Sequence, residues 1–351
     1  MKIKLAYFVC VLTVLSTPEV YADDSKRAWS IQLENDVFSQ FFGLRKSDSE
    51  ASDFDGDKDY TQGVRLGLTI RDRTDLPFHS LLKDLHMIGE ADDDSNRKVH
   101  VTYQAFLGQN IYTPTDITKS HLLVNDRPYA GYLYFGSNIT RQKGRHLESL
   151  ELDVGVIGPL SGAKQVQTTW HTLIDTREPE GWDNQLSNEP ALTVIYTRAV
   201  NMPLLAKKSG EIGVGMDITP HGTLALGTVY THVSVGGTLR IGTGLEREMM
   251  SPNRIQPSQP GSDIFSGKGM DFYTFIGIEG RAVARNAFLD GNVFSESHRI
   301  DKKRFVGEFS IGFVGFTESW RLSYTHVFRS REFVNQRKGD FFGSVSLTKL
   351  F

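Results

Sequence analysis

Apolar and polar residues alternate along most of the chain, and the alternation is clearest at its end. Counting back in twos from Phe351 reaches Leu347 and Val345, whereas Thr348 and Ser346 lie on the opposite face. A period of two is that of a β-strand with two unlike faces. A final strand that ends on an aromatic residue is typical of Gram-negative outer-membrane barrels, and the terminal strand of a soluble β-sandwich is the alternative.

Similar segments recur through the rest of the chain at the spacing of a barrel. They cover residues 29–38, 60–70, 99–109, 131–140, 147–157, 191–199, 210–218, 224–240, 272–281, 304–314, 320–329 and 341–351. An even number of strands places both chain ends on the periplasmic side, where the long stretches 72–98 and 241–270 also fall. The sequence therefore predicts an all-β protein, a transmembrane antiparallel β-barrel of about twelve strands.

The first residues have the layout of a secretory signal peptide. Lys2 and Lys4 precede an apolar run at 5–15 and a small-residue exit at Ala22. The run is shorter than the roughly 20 residues that a membrane-spanning helix needs, although an uncleaved anchor is the alternative. We expect residues 1–22 to be removed and residues 23–351 to form one outer-membrane barrel domain.

Composition narrows the class further. The 351 residues are 39% hydrophobic, with no long apolar segment after the signal, which disfavours a helical membrane protein. The lone Cys10 lies inside the signal peptide, so the exported protein forms no disulfide. A net charge of -3 argues against a nucleic-acid binder.

Residues 163–175 break the alternation. Val166 and Trp170 recur at helical spacing, which predicts a short extracellular loop helix lying against the outer rim of the barrel with its apolar positions buried. Gln167 and His171 are four residues apart and share one face of such a helix. An imidazole held neutral there is suited to take a proton from water, and a solvated helical face is the alternative.

Six short motifs give the chain a family resemblance. They are LEND at 33–36 followed by Phe38, DYTQG at 59–63, GQNIYTP at 108–114, DRPYAG at 126–131, QTTWH at 167–171 and GWDNQ at 181–185. In this order, inside an exported barrel, they resemble the outer-membrane lipid A 3'-O-deacylases, the LpxR-type enzymes. The resemblance spans essentially the whole exported chain and implies a twelve-stranded barrel.

The resemblance also implies a reaction. Enzymes of this type are carboxylic ester hydrolases that remove the 3'-linked acyloxyacyl chain from lipid A in the outer leaflet, with a histidine activating water and a calcium ion stabilising the oxyanion. Carried over by motif, His171 is the general base, and Gln167 and Asn35 act beside it.

Calcium is implied in the same way. Asp36 is the first choice of ligand because a hard cation prefers carboxylate and carbonyl oxygens. Thr61 matches the site on the second strand, and Glu178, in the loop beyond the helix, is a weaker candidate.

Arg127 has two interpretations. Its guanidinium is suited to bind a lipid A phosphate, but Pro128 and Gly131 mark the start of a strand, where Arg127 pairs with Asp126 in a purely structural role. Trp182 and Tyr112 are interpreted as rim aromatics.

The expected partners are lipid A or lipopolysaccharide as substrate, the outer-membrane lipids, and the barrel assembly machinery during biogenesis, with the protein acting as a monomer. A passive porin or structural barrel is the alternative from another class, and an outer-membrane phospholipase using serine is the alternative enzyme. The sequence has no Gly-x-Ser-x-Gly motif, which argues against the phospholipase.

Overall fold

A computed structural model of the chain describes residues 26–39, 58–73, 80, 98–205, 213–255, 261 and 264–351. The predicted signal peptide lies outside these residues. The strands are β1 Lys26–Asn35, β2 Asp59–Arg71, β3 Val99–Thr113, β4 Ala130–Lys143, β5 His146–Ile157, β6 Glu189–Val200, β7 Met202–Leu205, β8 Gly215–Gly227, β9 Tyr230–Gly242, β10 Asp271–Asn286, β11 Phe305–Phe316, β12 Trp320–Arg329 and β13 Asp340–Leu350. The two α-helices are α1 Ala163–Ile174 and α2 Ala287–Asp290.

All of these strands belong to one antiparallel sheet that closes on itself. Neighbours in sequence are neighbours in space, β1 pairs with β13, and β6 pairs with β8 to complete the circle. The short β7 continues the position of β6 along β8. Twelve strand positions therefore surround the barrel, which confirms the predicted fold.

The prediction was wrong about the strands between residues 210 and 240. Instead of ending near 218, β8 runs through Pro220 to Gly227, and a tight turn at Thr228 and Val229 leads into β9. Proline lacks the N–H that a sheet ladder needs. Pro220 is tolerated because it lies between the last β6 pair, Ala199 with His221, and the first β7 pair, Met202 with Ile218.

Alternation along each strand separates a polar interior from an apolar exterior. On β5, Leu150 and Val154 are about half exposed, whereas Glu151 and Asp153, which lie between them in the sequence, are buried in the lumen. This is the arrangement that a barrel wall needs when lipid lies outside and polar groups lie inside. No helix within the described ranges is long and apolar enough to cross a membrane.

The long connection after β9 folds into the lumen. Its residues 245–255, here called the inward segment, reach β1, where the backbone N–H of Ile255 donates to Glu34 Oε1 over 2.9 Å and Gln32 Nε2 donates to the carbonyl of Asn253 over 2.7 Å. On the other side Met249 and Met250 pack against β5 and β6. The inward segment therefore crosses the barrel interior.

Ion pairs anchor the inward segment. The Glu248 carboxylate lies 2.8 Å from Arg321 Nε and accepts a hydrogen bond from the Tyr273 hydroxyl. Arg254 pairs with Glu308 on β11. A second group of side chains, here called the aromatic cluster, fills the outer half of the lumen; it consists of Tyr60, Phe106, Tyr112, Tyr132, Tyr134, Tyr230, Phe288 and Phe342. The inward segment and the aromatic cluster together occupy both halves of the lumen.

We predict that Glu248→Ala lowers the free energy of unfolding by about 3–5 kcal/mol, because it leaves Arg321 buried without its counter-charge. Thermal unfolding of the purified protein in detergent measures this effect. Glu246→Ala is the matched control, since Glu246 lies two residues away and is exposed. Equal stability of the two variants would contradict the proposed anchoring role.

Candidate active site

Helix α1 lies against the lipid-facing wall at the outer end of β3 and β4. Gly131 makes this close approach possible, because a Cβ there would lie 2.3 Å from the Cβ of Ala163 and 2.1 Å from Ser161 Oγ. The helix begins after Gly162, which adopts a left-handed φ of 71° that suits glycine. Gln109 Nε2 on β3 donates to the carbonyl of Ser161 over 2.7 Å and fixes the start of the helix to the wall.

The faces of α1 are the reverse of those predicted. Gln167 and His171 are buried against the barrel, whereas Val166, Trp170 and Leu173 are exposed. The expectation that the apolar positions would be buried was therefore wrong. The physical reason is the solvent: a helix held against the outside of a membrane barrel meets lipid on its outer face, and its polar groups turn inward.

The two buried polar side chains of α1 have defined partners. His171 Nδ1 hydrogen bonds with the carbonyl oxygen of Arg177, which can only accept, so this nitrogen carries the proton and Nε2 is left as the basic atom. Gln167 Oε1 accepts from Trp182 Nε1 over 2.9 Å. The amide nitrogen of Gln167 is buried and has no hydrogen-bond partner among the described residues.

The wall next to α1 carries polar residues of β2 and β3. Ile111, on the same face of β3, packs with Ala163 and Trp182, and Thr113 lies two residues further along that face. The hydroxyls of Thr113 and Thr61 are 2.7 Å apart. Thr61 is the extra residue of a β-bulge between Tyr60 and Gln62, which turns it out of the regular alternation.

Asn35 ends β1 beside this bulge, and Asp36 begins the 3₁₀ turn Asp36–Ser39. Asn35 pairs with Gln62, the residue that follows Thr61, and this is the last pair of the register between β1 and β2. Asp36 is buried, and its Oδ2 accepts from the backbone N–H of Lys58 over 3.2 Å. The backbone of Asn35, Asp36 and Thr61 therefore comes together where β1 ends and β2 begins.

Glu178 lies apart from these residues. Its side chain is exposed, and its Oε1 accepts from the Thr172 hydroxyl over 3.1 Å on the exposed side of α1. Its role as a calcium ligand stays a prediction that this contact does not support.

Arg127 is buried in an ion-pair cluster at the outer end of the lumen. Its Nε lies 3.2 Å from Asp59 Oδ1, and its Nη2 donates to Glu332 Oε2 over 2.9 Å. Burial raises the pKa of the Glu332 carboxyl, but Arg329 and Arg127 outweigh it, so this pKa lies below its ordinary value. These contacts support the structural interpretation of Arg127, with Asp59 and Glu332 as the main partners rather than the expected Asp126.

Tyr112 and Trp182 are not rim aromatics, which corrects the prediction. Trp182 is buried beneath α1, and Tyr112 stacks on Phe288 inside the barrel with ring centroids 3.8 Å apart. Sequence reasoning also missed Thr113 and the carbonyl of Arg177. Thr113 lies within one of the shared motifs, but a backbone carbonyl leaves no sequence signal.

The oxygen donors at the end of β1 and on the adjoining ends of β2 and β3 are of the type that calcium prefers. Asp36 offers a buried carboxylate, and Thr61 and Thr113 offer hydroxyls. Calcium takes roughly six to eight oxygen ligands, so backbone, water and substrate oxygens would have to complete the set. No group of three or more His, Cys, Asp or Glu side chains that could hold a metal is found within the described part of the chain.

A closed twelve-strand wall with buried polar side chains beneath a lipid-facing loop helix defines an integral outer-membrane β-barrel whose candidate site is on its outside. The family described as Outer membrane protein LpxR matches residues 5–351. The chain belongs to this LpxR family and is an outer-membrane protein.

Comparison with solved structures supports the fold. The structure titled LpxR from Salmonella typhimurium has a TM-score of 0.72 at 20% identity, covering 92% of this chain and 100% of that one. The transport unit of the autotransporter AIDA-I from Escherichia coli reaches a TM-score of only 0.35 at 8% identity, with 98% and 95% of the two chains covered. No curated protein matches the sequence.

We predict that Arg127→Ala destabilises the folded barrel by about 3–5 kcal/mol, because Asp59 and Glu332 lose a buried counter-charge. Thermal unfolding in detergent measures the change. Arg145→Ala in the turn between β4 and β5 is the control for the loss of an arginine at a strand end. An unchanged unfolding temperature for Arg127→Ala would favour the phosphate-binding interpretation instead.

Proposed function

We propose that this protein is a lipid A deacylase that hydrolyses the ester of the 3'-linked acyloxyacyl chain in the outer leaflet. The observation that carries the proposal is His171, whose Nδ1 is held by a backbone carbonyl on the buried face of a helix with lipid-facing apolar residues outside. A base in this position meets a substrate that approaches within the membrane. Family membership supports the same reaction class.

In the proposed mechanism, His171 Nε2 takes a proton from water and the resulting hydroxide attacks the ester carbonyl carbon. The tetrahedral intermediate collapses with cleavage of the bond to the sugar oxygen, and His171 returns the proton to that oxygen. The products are the free fatty acid and the sugar hydroxyl. General base catalysis of this type contributes roughly 10²–10⁴-fold to the rate.

Gln167 is suited to assist this reaction. Its amide oxygen is occupied by Trp182, which fixes the side chain and directs the amide nitrogen away from that contact. The nitrogen is a buried donor without a partner among the described residues, and an unmet donor of this kind stabilises negative charge that develops on an oxygen. We propose that the amide nitrogen of Gln167 donates a hydrogen bond to the attacked carbonyl oxygen or to the attacking water.

Calcium belongs to the proposal through Asp36 and Thr61, with Asn35 beside them. When bound, a calcium ion supplies positive charge near the ester carbonyl, which stabilises the oxyanion by several kcal/mol. The burial of the Asp36 carboxylate just after the end of β1, and the paired hydroxyls of Thr61 and Thr113 on the neighbouring strands, support this assignment.

The two alternatives have less support. A porin needs an open lumen, whereas the inward segment and the aromatic cluster occupy this one. A serine hydrolase needs a serine paired with an imidazole, but the Ser161 hydroxyl donates to the carbonyl of Gly158 over 2.6 Å.

We predict that His171→Ala reduces release of the 3'-linked acyloxyacyl group by at least about 10²-fold, because the general base is removed. Mass spectrometry of lipid A from cells expressing each protein measures this release. His121→Ala, which removes an exposed histidine from the neighbouring loop, is the control and should retain activity. If the folded His171→Ala protein shortens lipid A as well as the parent does, the proposal is wrong.

We also predict that a calcium chelator abolishes the activity of outer membranes carrying the protein and that added calcium restores it. Asp36→Asn should require more calcium for half-maximal rate, because it removes the charged ligand. Asp116→Asn, in the loop between β3 and β4, is the matched control. Full activity in chelator, together with unchanged activity of Asp36→Asn, would remove calcium from the mechanism.

A further inference from the structure

The loop that follows α1, residues 175–188 and here called the return loop, contributes a buried tryptophan to the candidate site. Trp182 is among the largest fully buried side chains of the barrel, with only 1% of its surface exposed. Its indole Nε1 lies 2.9 Å from Oε1 of Gln167, the residue whose amide has a proposed part in the ester hydrolysis. The return loop therefore reaches back to the helix that carries the general base.

The direction of this hydrogen bond decides which end of the amide faces the indole. An indole N–H can only donate, whereas a glutamine amide has one accepting end and one donating end. The oxygen of Gln167 must therefore face Trp182, and the amide nitrogen must point elsewhere. That nitrogen is buried and has no hydrogen-bond partner among the described residues. The opposite orientation would place N–H groups against an N–H, so Trp182 excludes it.

The return loop acts on both polar side chains of the buried face of α1. The carbonyl of Arg177 accepts from His171 Nδ1, and Trp182 Nε1 donates to Gln167. Each of these loop groups has a single hydrogen-bonding character, since a carbonyl only accepts and an indole N–H only donates. The loop therefore sets both the tautomer of the imidazole and the orientation of the amide, which lie about one helical turn apart.

The indole is held in place by contacts other than the one with Gln167. The backbone N–H of Leu186 donates to the carbonyl of Tyr129 over 3.0 Å, which ties the return loop to the start of β4. A Cβ at Gly181 would lie 2.5 Å from Cε2 of Tyr129, so the loop passes directly over this ring. Tyr129 also packs against Trp182, with ring centroids 4.9 Å apart. The wall therefore fixes the donor, and the donor fixes the amide.

We propose that Trp182 is a positioning residue for the ester hydrolysis, because its indole N–H holds the Gln167 amide with the nitrogen, and not the oxygen, presented to the reacting groups. This inference rests on the proposed function and deepens it. Trp182 acts only through Gln167 and takes no part in the bond cleavage. The amide is thus oriented before the substrate arrives, and its donor needs no rearrangement as negative charge develops on the ester oxygen.

Trp182→Phe tests the hydrogen bond, because it keeps a buried aromatic ring and removes the N–H. We expect kcat for release of the acyloxyacyl group from purified lipid A to fall about tenfold, the size of one hydrogen bond. KM should change little, since the amide acts in the transition state. Trp170→Phe is the matched control, because it removes an indole N–H from the exposed face of the same helix and should keep the parent kcat. Equal kcat values for the two variants would overturn the positioning role.

A double-mutant cycle separates positioning from structural support. Gln167→Met keeps the length of the side chain and removes the amide, and it should lower kcat about 10²-fold, since one donor to the developing oxyanion is lost. In the Gln167→Met background, Trp182→Phe should lower kcat no further, because the residue through which the indole acts is absent. A tenfold loss that persists in this background would show that Trp182 supports the helix or His171 instead, and it would overturn the proposal.

Each kcat is calculated per folded protein, measured by the heat-modifiable gel migration of the variant. A Gln167→Met protein with the kcat of the parent would overturn the roles of Gln167 and Trp182 and leave the deacylase function, which depends on His171. A parent protein that releases no acyl chain would instead overturn the proposed function and, with it, this assignment.

Discussion

The closed ladder of backbone hydrogen bonds is the constraint on which the rest of this structure depends. A strand in a membrane must have all of its N–H and C=O groups paired, and pairing β1 with β13 and β6 with β8 achieves this without an open edge. Closure also fixes the register. Asn35 therefore pairs with Gly343 on one side and with Gln62, the neighbour of Thr61, on the other.

The lumen side and the lipid side of the barrel wall carry different kinds of residues. The lumen holds the buried ion pairs that anchor the inward segment, such as Glu248 with Arg321. The outer side holds Gln167 and His171 beneath a helix that presents its apolar residues to lipid. The candidate site therefore lies on the membrane side of the wall, outside the lumen.

Much of the fold could be predicted from the sequence because alternation at a period of two survives in most strands of the barrel. The helix predicted at 163–175 is present as Ala163–Ile174, since its spacing differs from that of the strands. The shared motifs include Asn35, Asp36 and Thr61, which lie where β1 ends and β2 begins beside the bulge.

Other features could not be predicted because they depend on tertiary contacts or on the surrounding solvent. The path of β8 through Pro220 depends on a break between two neighbouring strands. The orientation of α1 depends on whether lipid or water surrounds it, and a helical wheel is the same in both cases. The inward segment has no period of its own, and only its contacts with Glu34 and Glu308 place it in the lumen.

The filled lumen has a consequence for the cell that carries this protein. An outer membrane protects the bacterium only while small toxic molecules are kept from diffusing through it, and every open barrel weakens that protection. Because the inward segment crosses the interior, the bacterium can alter its own surface lipids with this protein without adding a route of entry for antibiotics.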